Sequence, residues 1–164
     1  MNKYLFQTGD RVFHPMYGVG VVEGLTKRDK VEQSPEYYAV RLPQGAVLSV
    51  PVTKANDLGL RRIANSLSTI VACLRSPAHP LPNDDRQRAA ELKARARLPK
   101  PGALSQAVRD MICYSHTHKL KPADKNWLAA ACERLSAEAA WVDAIDPDEA
   151  QATIKQEIEH LTPS

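Results

Sequence analysis

The hydrophobic pattern changes its period near residue 60, so a single kind of repetitive element cannot account for both halves of the chain. Up to Leu60 the apolar residues fall in short β-branched or aromatic runs: Arg11-Val12-Phe13, Gly18-Val19-Gly20-Val21-Val22, Tyr37-Tyr38-Ala39-Val40-Arg41-Leu42 and Val47-Leu48-Ser49-Val50-Pro51-Val52. Gly9-Asp10, His14-Pro15, Ser34-Pro35 and Pro43-Gln44-Gly45 separate them with turn chemistry. Short strands at this spacing predict a small, strongly bent antiparallel sheet or barrel, with Gly18 and Gly20 letting a strand bend.

Beyond residue 60 the period is helical. Leu67, Ile70, Val71 and Leu74 follow a Ser66 cap at i, i+3, i+4 and i+7 spacing. Ser76-Pro77-Ala78-His79-Pro80-Leu81-Pro82 cannot continue a helix and reads as a hinge that presents Asp84 to Arg97 at a fixed angle. Further stripes are Leu104, Ala107, Val108, Met111 and Ile112, then Leu128, Ala131, Cys132, Leu135, Ala139 and Val142 behind a first-turn Pro122. Asp146-Pro147-Asp148-Glu149 opens the last helix, with Ala150, Ile154, Ile158 and Leu161 on its stripe. The expectation is an α+β chain of two domains, 1–60 and 61–164, the second a compact bundle of about five helices.

Composition narrows the function. At 164 residues, 43% hydrophobic and 25% charged, the chain is an ordinary globular one. No run approaches the roughly 18 apolar residues of a membrane span, and the opening MNKYLFQTGD lacks a secretory pattern, so a cytoplasmic protein is expected. Cys73, Cys113 and Cys132 lie far apart among apolar neighbours, as small buried hydrophobes do, rather than as disulfide or zinc ligands. The net charge of +3 is unevenly spread. Residues 1–60 hold 7 Lys+Arg against 6 Asp+Glu, residues 61–100 hold 9 against 3, and residues 101–164 hold 6 against 10. A basic block between a neutral start and an acidic tail fits a nucleic-acid surface in mid-chain.

Catalytic chemistry finds little support. The Gly18-Val19-Gly20 pair lacks the further glycine and the helix of a dinucleotide fingerprint, and no Gly-Lys-Ser/Thr sequence occurs. His116 and His118 are two apart, which on a helix points them in opposed directions, and His14 sits in a strand-end turn. No catalytic residue, metal or cofactor is expected. The segment DDRQRAAELKARARLPK remains. As a helix it puts Arg86, Lys93 and Arg97 on one flank, Arg88 and Arg95 on the other, and only Ala89, Leu92 and Ala96 between. Such a helix is either a phosphate-facing surface or a solvated charged helix without a ligand, and the residues alone leave both open.

FQTGDRVFHPMYGVGVVEGL, EYYAVRLPQGAVLSVPV, DLGLRRI, AVRDM and KLKPADKNWLAAACERLSAEAA together resemble the CarD/CdnL family of bacterial transcription regulators. The first of these is also similar to the polymerase-binding module of transcription-repair coupling factors. The resemblance implies an N-terminal Tudor-like β-barrel that binds the RNA polymerase β subunit and a helical domain that contacts promoter DNA. It implies a non-enzymatic monomer that tunes open-complex stability and joins the nucleoid through polymerase. The polymerase contacts carried over by resemblance are Lys27, Arg28 and Ser49, the last standing where some relatives have arginine. On the DNA side they are Arg86, Arg88, Lys93 and, at the start of a later helix, Lys125. Many relatives begin the DNA-contacting helix with Asn-Trp, whose ring inserts at the edge of the melted bubble. Here Asn83 is followed by Asp84 and Asp85, so a carboxylate occupies the wedge position. A rival reading makes the chain an adaptor that binds polymerase without a direct DNA role; the aspartate pair favours it.

Overall fold

The computed structural model describes residues 3–64 and 66–161. Five strands, β1 (Arg11–His14), β2 (Gly18–Lys27), β3 (Glu36–Arg41), β4 (Val47–Pro51) and β5 (Arg61–Arg62), form one antiparallel sheet in the order β4-β3-β2-β1-β5. Strand alternation divides the apolar residues between two cores. On β1, Val12 packs with Val22, Tyr38, Val40 and Val50 on one face. Its neighbour Phe13, paired with Val19, enters the helical core on the other. Every second residue of one short strand therefore belongs to a different half of the molecule.

The sheet is not closed, which corrects the expectation of a Tudor-like barrel. β4 and β5 are its two edges and do not pair with each other. β5 is only two residues long, and the chain joining β4 to it runs through a 3-10 turn (Val52–Lys54). Val52, Ala55 and Leu60 of that connection pack over the apolar face. Side chains from an irregular segment thus cover a core that a barrel would seal with backbone hydrogen bonds. Curvature comes from a bulge between Val22 and Gly24, where Glu23 is extra to the β2–β3 register. Gly20 serves close approach rather than bending: a Cβ there would lie 2.6 Å from Val40 Cγ1.

The helices are α1 (Leu67–Arg75), α2 (Asp85–Ala96), α3 (Ala103–Thr117), α4 (Pro122–Val142) and α5 (Pro147–Glu159). Ser66 caps α1 by accepting from the Thr69 amide, and Asp146 caps α5 by accepting from the Asp148 amide. The prolyl linker between α1 and α2 has few backbone bonds of its own, and side chains supply them. Arg95 donates to the carbonyls of His79 and Pro80, Gln106 donates to that of Pro77, and buried Asp110 accepts from the His79 amide at 2.8 Å. These bonds fix the angle at which α2 is presented.

Sheet and bundle are joined by a buried ion pair. Arg61 on β5 donates to both carboxylate oxygens of Glu138 on α4, at 2.7 and 2.9 Å. The Ala64 amide donates to the same carboxylate at 2.8 Å, and the guanidinium lies 4.5 Å from the centre of the Phe13 ring. Arg11 adds a bond to the Trp141 carbonyl at 2.6 Å. Gly59, at φ 86°, lets the turn before β5 abut α2's end: a Cβ would lie 2.6 Å from the Arg97 carbonyl and 2.7 Å from Pro15 Cγ.

Candidate functional site

The first surface is the corner where the N-termini of α2 and α4 meet. Asp84 is the N-cap of α2, its Oδ1 accepting from the Gln87 amide at 2.9 Å. Asp85 accepts from Arg88 at 2.9 Å and from Lys121 Nζ at 2.5 Å. Those cations, Lys121 foremost, hold its carboxyl below the usual range. The two aspartates are therefore local structure: Asp84 caps the helix and Asp85 ties it to the start of α4.

Arg88 is only 2% exposed, although the sequence places it among the basic residues of a charged helix. Its guanidinium makes a two-point contact with Asp124 at 2.9 and 2.8 Å. It also donates to the carbonyls of Pro82 and Asn83 and to the Tyr114 hydroxyl, 4.7 Å above that ring's centre. This pairing, more than any other cause, keeps the Asp124 carboxyl low. Asp124 in turn accepts from the Lys121 amide at 3.0 Å and so caps α4. With its donors engaged inside the protein, Arg88 organises the corner rather than facing outward.

Arg86, Lys93 and Lys125 are exposed, and among the described residues their side chains make no hydrogen bond or ion pair. Arg86, Ala90 and Lys93 follow one another at i, i+4 and i+7 along the outward stripe of α2, beside exposed Ala89 and Ala94, while Arg97, just past the helix, is half-buried and donates to the Asp57 carbonyl at 3.1 Å. Small alanines between long cations leave the helix backbone open to close approach. Exposed Lys119 and Lys125 extend the positive surface along the approach to α4 and its first turn, while Lys121 between them is paired with Asp85. Trp127 and Trp141 are half-buried against the helical core. Trp127 lines a small cavity of about 100 Å³ between α2 and α4 with Ala89, Leu92 and Ala123.

The second surface is the outer face and free edge of the sheet. Arg28 stacks over Tyr37 at 4.9 Å, and Lys27 donates to the Glu32 carbonyl at 3.0 Å. Ser49 is exposed on edge strand β4; it pairs with Ala39, as Pro51 pairs with Tyr37, so Ser49 and Tyr37 share one face. Arg28, through Tyr37, and Ser49 share that face, whereas Lys27 pairs with Glu36 and so lies on the face of core residue Tyr38.

The three cysteines are free thiols, and burial pushes that of Cys132 up to about 11. His118 stacks on Tyr114 at 4.2 Å, while His14 is half-buried against Tyr17. Among the described residues no helix is long and apolar enough to cross a membrane. Sequence reasoning missed Glu138 and Asp124 altogether. The only signal available was their occurrence at core-facing positions of an amphipathic helix, where an unpaired carboxylate would be costly.

An open sheet is clamped to a helical bundle whose α2 carries exposed cations, Arg86 and Lys93, without partners among the described residues. Residues 6–64 match the CarD-like/TRCF RID domain, and residues 69–155 match the CarD C-terminal domain. The chain belongs to the CarD family, whose general role is that of a transcription regulator interacting with RNA polymerase and promoter DNA. It is also similar to the Bacillus subtilis (strain 168) protein named "Putative transcription factor YdeB". The two are 24% identical over 142 residues, which cover 82% of this chain and 90% of the relative.

Proposed function

We propose that the protein docks on the RNA polymerase β subunit through the sheet and lays α2, with the start of α4, against promoter DNA, changing the lifetime of the open complex. The division of labour falls near residue 60, with 1–60 the polymerase side and 61–164 the DNA side. The observation that carries the reading is the outward stripe of α2, where Arg86 and Lys93 stand unpaired among the described residues while the inward Arg88 is consumed by Asp124. Cations without internal partners are free to replace the counterions of phosphates. Arg86, Lys93 and Lys125 are the phosphate contacts in this reading, and Arg88 holds the surface that carries them.

On the polymerase side, β4 offers a free backbone edge with Ser49 exposed on it, and Arg28 and Lys27 stand at the end of the same sheet. Edge strands of this kind take up a partner strand by main-chain hydrogen bonds. The protein acts as a monomer, in the cytoplasm, associated with the nucleoid through polymerase. Asp84 and Asp85 at the wedge position remove the stacking insertion and repel phosphate, so bubble-edge recognition is weak and the open complex is stabilised less than by a tryptophan-bearing relative.

The test is the lifetime of open complexes formed by purified cognate polymerase with and without the protein. A change that is lost in the Arg86→Ala/Lys93→Ala double variant supports the reading; an unchanged lifetime refutes it. The adaptor reading, favoured by the two aspartates, predicts an altered lifetime with no new footprint on promoter DNA.

A further inference from the structure

At the seam between the sheet and the bundle lies a cleft of about 230 Å³, and nothing in the reading above uses it. Its walls are the β1–β2 turn with Tyr17, the β3–β4 turn with Pro43 and Gln44, and one face of α4 carrying Ala130, Glu133, Arg134 and Ala137. Arg134 is half-buried, and among the described residues its side chain makes no hydrogen bond or ion pair. The other arginines as buried as this one each have at least one acceptor: Arg61 and Arg88 have carboxylates, Arg95 has Asp110 and Glu91, Arg97 has the Asp57 carbonyl, and Arg109, whose Nη1 is buried without a partner among the described residues, has the Ser76 carbonyl on its Nε. Arg134 and Arg97 both lie near His14, whose ring packs 5.0 Å from Tyr17. Burial first, and then these two charges, hold His14 toward its neutral form. A partly desolvated guanidinium with a rigid fork of donors and no acceptor is matched by a carboxylate.

The lining also distinguishes among anions. Glu133 stands beside Arg134 on the same face of α4, exposed, and repels a phosphodiester backbone, with a charge at every residue, more than a polypeptide that brings one carboxylate to Arg134. The rest is apolar or neutral, with Tyr17, Val19 and Pro43 in the lining and Met16 58% exposed next to it. Such a site suits a polypeptide that presents a carboxylate next to an apolar side chain. Its location adds a constraint. Pro43 and Gln44 belong to the turn that leads into β4, whose first residue, Val47, is 48% exposed. A strand added along the free edge of β4 therefore leaves the sheet beside the mouth of the cleft.

We infer that the seam cleft receives an acidic segment of the polymerase polypeptide contiguous with the strand that docks on β4, its carboxylate paired with Arg134 and an adjacent apolar side chain packed on Tyr17. The inference rests on the proposed docking of β4. It makes the helical half a participant in polymerase binding as well as in DNA contact.

Photo-crosslinking tests it, with p-benzoylphenylalanine placed singly at position 17 or position 47 of the full chain and purified cognate polymerase with promoter DNA as the probe. Both positions should crosslink to one polymerase subunit, at sites adjacent in its sequence. Arg134→Glu should weaken polymerase binding about tenfold and abolish the position-17 crosslink while sparing that from position 47, and Arg134→Lys should retain much of both. Thermal melts that match the parent protein establish that the variants are folded, since Arg134 lies outside the core. A crosslink from position 17 to DNA, its absence when position 47 still crosslinks, or indifference to Arg134→Glu overturns the inference and leaves the docking of β4 standing. Absence from both positions overturns the docking and the inference together.

Discussion

The seam and the outer face of α2 treat basic residues in opposite ways. At the seam and inside the bundle, Arg61 and Arg88 are buried, each held at two points by a carboxylate from a distant part of the chain. On α2, Arg86 and Lys93 project without partners among the described residues, only a turn or two from Arg88. A basic segment is thus two populations that charge counting merges. One holds the architecture by neutralising buried carboxylates, and the other remains available to an outside anion. What separates them is whether the helix turns the side chain toward α4 or toward solvent.

The comparison can be broken hardest at the seam. Glu138→Ala leaves Arg61 buried and uncompensated, and the expected loss is about 3–5 kcal/mol in a denaturant titration. A loss near zero would mean that the sheet and bundle are held by apolar packing alone. Arg88→Ala strands Asp124 in the same way and should cost about 3 kcal/mol. If Arg88 were instead a surface ligand for phosphate, stability would hold and only DNA affinity would fall.

Acid acts on the same corner. The Asp124 and Asp85 carboxyls have folded-state values below their ordinary ones, so their contribution is complete above about pH 4 and is lost as pH falls through the depressed values. The melting temperature should drop steeply below about pH 4, and Asp124→Asn, less stable at neutral pH, should flatten that drop. Asp84→Ala removes the α2 cap for about 1 kcal/mol, read as a lower melting temperature. The smallest stability effect, within about 0.5 kcal/mol, is expected from Arg86→Ala/Lys93→Ala. The same double variant should flatten the salt dependence of duplex binding by roughly 2 in log–log slope, since each lost phosphate contact removes about 0.9.

Local signals in the chain were largely legible. Ser66 and Asp146-Pro147 announce helix starts because a side-chain oxygen can reach an amide two or three residues on, a relation that sequence spacing alone specifies. The alternation of Val12 and Phe13 marks a strand but does not say that both faces are buried, since that depends on α4 lying across one of them. The extent of the sheet was harder to read. Arg61–Arg62 is too short to register as a strand by pattern and pairs only because β1 is there to receive it. A barrel and an open sheet have nearly the same alternation. Whether the edges meet depends on the connecting segment, here an irregular one that fills the gap with Val52, Ala55 and Leu60.

By itself the sequence determined the change from strands to helices near residue 60, the helix caps, the basic mid-section and the family to which the chain belongs. These depend on neighbours within a turn or two, or on patterns of residue identity. Tertiary structure alone decided which cations are free. Arg88 meets Asp124 across 36 residues and Arg61 meets Glu138 across 77, and no local rule couples positions so far apart. Burial favours such couplings, because a charge removed from water is costly unless it is paired inside the protein; Arg109, with a buried Nη1 that has no partner among the described residues, is the exception. Arg86 and Arg134, which found none among the described residues, are left to whatever the protein binds.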